Sequence, residues 1–249
     1  MKKIDLSKLK NANITNISRM FIGCSSLKKI NFKDFNTGKV SDMSRIFSEC
    51  LSLKEINLSF LKTDNVTDMS FMFFKCKSLK NIDLSEFNTK KLENMNSMFA
   101  ACHSLQNINL SSFNTENVID MRDMFIGCSS LKEINLANFK TNNVKEMSSM
   151  FYGCISLVKV NLSSFNTDNL KGMVSMFFNC SSLAEINLSN FRINDNIELK
   201  NKAFGYGVFD NVPSFSELIC NDNNLINVFY SRKKIYTINR ASYEDYLCM

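Results

Sequence analysis

Met124–Leu136 reads MFIGCSSLKEINL, and Met20–Phe32 reads MFIGCSSLKKINF. The cysteine inside this phrase recurs at Cys24, Cys50, Cys76, Cys102, Cys128, Cys154 and Cys180, a step of 26 residues with no insertion. Other columns keep the same step. Three residues after each cysteine stands a leucine, from Leu27 to Leu183. Six after come Ile30, Ile56, Ile82, Ile108, Ile134, Val160 and Ile186. Eight after comes Phe32 and then leucine from Leu58 to Leu188; eleven after come Phe35, Leu61, Phe87, Phe113, Phe139, Phe165 and Phe191. Ile4, Leu6, Leu9, Ile14 and Ile17 fill the same columns one period before Ile30, so the chain holds eight strand-type segments. A fixed period of this length marks a repeat architecture, in which no unit buries its own apolar face and neighbours must stack.

Within one period the hydrophobic spacing changes. Ile134 and Leu136 alternate with Asn135, the period of two expected of a half-buried strand. Val144, Met147, Met150, Phe151 and Cys154 then follow at spacings of three, three, one and three, which predicts an apolar stripe on a short helix. Thr141 or Asn143 is placed to cap it, and Gly153, like Gly23 and Gly127, stands where helices stop in a left-handed turn. The predicted fold class is α/β: a right-handed solenoid with a parallel sheet on the concave face and short helices on the convex face. Strands about 4.8 Å apart are narrower than packed helices, which predicts a bend with the sheet inside.

The strand pattern L-x-x-I-x-L resembles the leucine-rich repeat. The fuller phrase FNTxNVxDMSxMFxGCxSL, carried best by Phe113–Leu131 and Phe165–Leu183, resembles the BspA-like leucine-rich repeats of bacterial surface proteins and lipoproteins, long grouped as a domain of unknown function. The resemblance covers Ile4 to about Phe191. It implies binding or adhesion to a protein ligand, commonly on a host or neighbouring cell, and implies no chemistry and no cofactor. It also implies a cell-surface or secreted location. The N-terminal MKKIDLSKLKNAN has no apolar run behind its lysines, so it does not read as a signal peptide and leaves a cytoplasmic protein or a fragment open.

The register fails after Phe191. Residues 1–191 are therefore expected to form the array and residues 192–249 a C-terminal cap. The cap is read as an irregular helix near Ile197–Phe204, one divergent repeat in Phe215–Leu225, and a strand-like run in Asn227–Ile238. Caps shield the last core face of a solenoid.

Net charge is +6, unevenly spread: residues 1–62 hold 12 Lys/Arg against 5 Asp/Glu, and the remainder 18 against 19. A basic nucleic-acid groove would interleave aromatic stacking positions with its lysines, and this array does not, so no nucleic-acid partner is expected. Lys2, Lys3, Lys8 and Lys10 instead suit an exposed first strand that must not pair with another chain. No stretch reaches the roughly 20 apolar residues of a membrane helix.

The cysteine column ends the apolar stripe and lacks the clustered spacing of zinc ligands, so packing is expected and no metal site. The twelve non-terminal methionines lie in the stripe columns and read as core in the same way. His103, the sole histidine, occupies a turn column shared with Ser25 and Ser129; no phosphate loop or catalytic pair stands out, and no enzyme is expected. Candidate partner-binding residues lie on the strand face. Asn31, Asn57, Asp83, Asn109, Asn135 and Asn161 form a uniform column, for which a stacked amide ladder is the structural alternative. Lys29, Glu55, Asn81, Asn107, Glu133, Lys159 and, further along, Lys33 vary and are the specificity candidates. Phe71 and Phe74 are a second candidate, as an exposed apolar patch or as side chains packed between neighbouring coils.

Overall fold

A computed structural model of the chain describes residues 3–6, 9, 13–32, 35–194, 197–199, 206–214 and 216–232. Each period forms one coil of a solenoid. Short strands recur at Lys3–Asp5 (β1), Lys29–Asn31 (β2), Asn81–Asp83 (β3), Asn107–Asn109 (β4), Lys159–Asn161 (β5), Glu185–Leu188 (β6) and Glu217–Cys220 (β7). In each the central apolar residue turns inward while its neighbours face out. Every pairing is parallel and joins equivalent positions of adjacent coils, as Ile82 with Ile108 and Val160 with Ile186. The strand side is discontinuous: β1 pairs β2, β3 pairs β4, and β5, β6 and β7 form a third piece.

The other side of each coil is not helical. Where the 95–105 spacing predicts a helix, the structure has overlapping turns: the amides of Met98, Ala100, Cys102 and Leu105 donate to the carbonyls of Met95, Ser97, Phe99 and Cys102, each three residues back. The intervening amides of Met95, Ser97, Phe99 and Ala101 donate sideways to Asp120, Arg122, Met124 and Ile126 of the next coil, at 2.7–3.0 Å. Two residues per coil take positive φ, here Ser97 (52°) and Ala101 (57°), at the third position of a turn, where type II turns require it. Gly23, Gly127 and Gly153 hold this conformation at 68–69°. The glycine signal was therefore read correctly as left-handed backbone and assigned to the wrong element. Left-handed residues interrupt an α-helix, and the amides it would have used internally are spent between coils, which satisfies every buried donor of the run.

This lateral ladder is the continuous one. Parallel bridges run Asn16–Asp42–Asp68–Asn94–Asp120–Glu146–Gly172–Glu198 without a gap. With a continuous hydrogen-bonded ladder on the turn side and pieces of ladder on the strand side, neither side carries packed helices. The width mismatch between strands and helices that predicted a bend is absent.

The core lies between the two sides. The predicted columns fill it, with Val144, Met147, Met150, Phe151, Cys154 and Leu157 all fully buried. One ring per coil stacks on the next from Phe21 through Phe47, Phe73, Phe99, Phe125, Phe151 and Phe177 to Phe209, at 5.4–5.7 Å between centroids.

Phe177 and Phe209 are 32 residues apart, as are the β6–β7 partners Ile186 and Leu218, so the last coil carries six extra residues between Glu198 and Val208. Val212 takes the cysteine column and is buried. The divergent repeat thus joins the sheet as β7. The cap differs from expectation elsewhere. Ile197–Leu199 is irregular, with a single bridge from Glu198 to Gly172, and 200–205 lie outside the described residues. Asn227–Tyr230, expected to be strand-like, is the second half of an α-helix, α1 (Asn223–Tyr230); residues 233–249 lie outside the described residues. Asp222 explains the helix: its Oδ1 accepts the Leu225 amide at 3.0 Å as N-cap, and its Oδ2 accepts the Ile193 amide at 2.9 Å. Phe229 closes the ring stack edge-on against Phe209 at 5.3 Å.

Candidate functional site

The strand face carries the predicted binding columns. Lys29, Asn31, Glu55, Asn57, Asn81, Asp83, Asn107, Asn109, Glu133, Asn135, Lys159 and Asn161 are all exposed; Lys33 lies outside the described residues. The uniform column has a local task, and the amide ladder considered for it is not its main use. Asn57, Asp83, Asn109, Asn135 and Asn161 each accept, through Oδ1, the amide two residues on, at 3.0–3.1 Å. This is the Asx turn that ends a strand. Asn31 Nδ2 donates to Asp5 Oδ1 of the preceding coil at 3.1 Å. The turn also fixes the charge of Asp83, since the Ser85 backbone and side-chain donors hold its carboxyl below the ordinary value. In the varied column, Asn107 Nδ2 donates to Asn81 Oδ1 at 2.8 Å, and Lys159 Nζ lies 2.7 Å from Glu185 Oε1. Such exposed pairs are worth about 0–1 kcal/mol.

Phe71 and Phe74 do not form an exposed patch. Phe74 is 7% exposed and joins Ala100, Ile126, Tyr152 and Phe178 in a second small core on the turn side, with Phe71 and Tyr206 packed against it. The Arg45 guanidinium lies 3.8 Å from the Phe71 ring centroid and covers it.

Two structural columns escaped the sequence reading. Asp42, Asp68, Asn94 and Asp120 each cap the amide two residues on, at 2.7–3.0 Å, and so start the turn run. The recurring D-M-S was legible as an Asx turn and was absorbed into a helix. The threonines of the FNT position, Thr37, Thr63, Thr89, Thr115, Thr141 and Thr167, are buried. Each hydroxyl donates to the carbonyl, and accepts from the amide, of one residue in the next coil, as Thr115 does with Lys140 at 2.9 and 2.8 Å. Thr141 or Asn143 was expected to cap a helix; both instead span coils, Thr141 to Asn166 and Asn143 Nδ2 to the Glu116 carbonyl at 2.7 Å.

The cysteines line the core with their thiols engaged. From Cys50 to Cys180 each Sγ donates to a phenylalanine carbonyl of the preceding coil at 3.1–3.3 Å. Burial pushes the Cys50 and Cys154 thiols up to about 12 and the others in the row upward with them. In native protein at pH 8 these six are expected to react with a thiol reagent about a thousandfold more slowly than in denaturant, while half-exposed Cys24 and Cys220 react readily. Timed labelling read by peptide mass checks this, in a Cys248→Ser background because Cys248 lies outside the described residues.

One carboxylate is out of keeping. Asp123 takes φ 57° in a column otherwise held by residues such as Ser97 and Ser149. Its Oδ1 is sealed from solvent without a hydrogen-bond partner. Desolvation, only partly offset by Arg122, raises it to about 7. The fold therefore favours the neutral acid: this contribution is complete below about pH 4, the ordinary carboxylate range, and is lost as pH rises through about 7. Asp123→Asn is expected to raise stability at pH 8 by about 1–3 kcal/mol and to be near neutral at pH 4. Urea melts at the two pH values read the difference.

Among the described residues, no group of three or more His, Cys, Asp or Glu side chains stands together to hold a metal, and no helix is long and apolar enough to cross a membrane.

Parallel coils, a 26-residue step and inward L-x-x-I-x-L positions define a leucine-rich-repeat solenoid. Among solved structures the chain is similar to a leucine-rich-repeat protein from Bacteroides ovatus, with a TM-score of 0.51 and 21% identity over 89% of this chain and 56% of that one. The chain thus spans little more than half of that protein's length. A Treponema pallidum leucine-rich-repeat protein matches at 21% identity over 73% of this chain and 77% of that one, with a TM-score of 0.45. No curated protein sequence matches. The family described as Mycoplasma protein of unknown function, DUF285, matches residues 1–109 and 101–219. The chain belongs to that family, whose repeats are of the BspA-like leucine-rich kind.

Proposed function

We propose that the protein is a noncatalytic binding module whose strand face meets a protein partner, in adhesion or recognition at a cell surface. The observation that carries this reading is a division of labour across the repeat. The inward columns and the Asx column are nearly invariant from coil to coil. The exposed column Lys29, Glu55, Asn81, Asn107, Glu133 and Lys159, continued by half-buried Glu185, changes charge repeatedly, and its side-chain contacts Asn107–Asn81 and Lys159–Glu185 stay within the column. Leucine-rich-repeat proteins generally bind proteins, which supports the coarse reading. In this proposal residues 1–191 are the array and 192–249 its cap, and the coil is right-handed.

The test is a pair of charge-swap variants. Lys29→Glu, Glu55→Lys, Glu133→Lys and Lys159→Glu invert the strand face; Lys90→Glu, Glu116→Lys and Lys171→Glu change the opposite flank. Purified chain is presented to intact cells and to arrayed surface proteins. Strand-face inversion is expected to abolish retention and flank inversion to spare it. Equal retention by both variants and wild type would favour a structural repeat with no dedicated ligand.

A further inference from the structure

We propose that the strand face of the first three coils is a docking site for an extended acidic peptide that carries one bulky apolar side chain. This rests on the protein-binding role proposed above and gives it a place and a partner chemistry.

The site is where the repeat departs from its own rule. In the column two residues after the strand leucine, other coils carry Glu86, Ser112, Asn138, Ser164 and Asn190, all polar. Ser112 and Asn138 use their side chains to donate to carbonyls of the coil before, Leu84 at 3.0 Å and Leu110 at 3.1 Å. The coil at 54–61 has Phe60 instead, which has no donor and is 50% exposed. The sheet fails at the same place. Among the described residues Glu55–Asn57 forms no strand ladder with β2 or β3, although its coil is joined to the one before by Ser52 N–H to the Ser25 carbonyl at 3.0 Å and Lys62 N–H to Thr37 Oγ1 at 2.7 Å. A cavity of about 440 Å³ opens there over Ile4, Ile30 and Phe60, rimmed by Lys3, Lys29 and Asn57. A second, of about 330 Å³, continues past Ile30 to Ile56 and shares Lys29 and Asn57 with the first. The two adjoin along Lys29, Ile30 and Asn57 and together expose Ile4, Ile30, Ile56 and Phe60.

Charge decides the occupant. Asp5, engaged by Asn31 Nδ2, and Glu55 also border these cavities. Lys3 and Lys29 have no ion-pair partner among the described residues, in contrast to Lys159. The segment that builds the cavities, residues 1–62, holds 12 basic against 5 acidic side chains, whereas the rest of the chain is close to neutral. That field attracts and orients an acidic chain and repels a basic one. The apolar side chain fills the space over Ile4, Ile30 and Phe60. Acidic neighbours meet Lys3 and Lys29.

The probe is a fluorescein-labelled Gly-Glu-Asp-Phe-Glu-Asp-Gly peptide, with a control in which lysine replaces each acid. Both are titrated against the full chain with isoleucine methyls labelled for NMR. The acidic peptide is expected to bind with micromolar-to-millimolar affinity, to weaken with salt, and to shift the methyls of Ile4, Ile30 and Ile56; the basic control is not expected to bind. Phe60→Ser, which installs the residue other coils use, is expected to weaken binding about tenfold or more while leaving the other methyl signals in place. Lys29→Glu is expected to weaken the acidic peptide several-fold and to admit the basic one. No shift at Ile4 and Ile30 up to about 1 mM peptide, or equal binding by wild type and Phe60→Ser, overturns the proposal. Shifts confined to Ile108, Ile134 and Ile186 overturn this site and leave the binding role of the strand face standing.

Discussion

Phe99→Ala is expected to lower the unfolding free energy by about 3–5 kcal/mol, the largest effect of any single truncation in the array. Phe99 is fully buried and stacked on both sides, 5.6 Å from Phe73 and 5.6 Å from Phe125. Truncation removes the ring's transfer energy and its two stacking contacts. The space cannot be closed, because the coil spacing is set by hydrogen bonds on both flanks. A solenoid's stability is a sum of coil and nearest-neighbour terms, so the loss falls on the two interfaces at the middle of the array. Urea unfolding is therefore expected to broaden or split as the halves on either side uncouple. Phe99→Leu keeps most of the volume and is expected to cost about 1–2 kcal/mol. A drop below about 1 kcal/mol for the alanine variant would mean that the ring column is filler and not the spine of the core.

Thr115→Val is nearly isosteric yet is expected to cost about 2–4 kcal/mol. The Thr115 hydroxyl is the partner of both backbone groups of Lys140, and valine leaves an N–H and a C=O without it in a part-buried corner. The penalty is the desolvation of two polar groups that water cannot reach well, so it exceeds the net value of the hydrogen bonds themselves. Thr115→Ser keeps the oxygen and is expected to cost under about 1 kcal/mol. Chemical denaturation of the three proteins checks the ordering; a valine variant as stable as wild type would show that the corner is wet. Equal costs are expected at Thr89 and Thr141, which make the same two bonds to Asn114 and Asn166.

The candidate site was only partly legible. The exposed strand columns were found from alternation alone, because a side chain beside an inward isoleucine must face out. The role of Asn57, Asp83 and Asn109 as turn closers was not, since an Asx turn and a stacked amide ladder need the same residue type and differ only in which donor lies near. Phe60 was passed over for a different reason. Its meaning comes from the missing ladder at Glu55–Asn57, and little in SLKEINL at Ser52–Leu58 sets that coil apart from SLKNIDL at Ser78–Leu84, which pairs as β3.

From the order of its residues alone the chain determined its period, its inward columns, the burial of its cysteine column from Cys50 to Cys180 and the return of a divergent coil at Leu218 and Cys220. All of these follow from which side chains leave water, and that is written in the spacing. Tertiary structure alone decided helix against turn. Val144, Met147, Met150, Phe151 and Cys154 fall on one side of either element, since a turn that closes every three residues imitates a helical stripe. The choice is made by where the amides find acceptors. An isolated coil has only its own carbonyls to use; a stacked coil has the carbonyls of its neighbour about 4.8 Å away, and left-handed residues such as Ser97 and Ala101 turn the amides toward them.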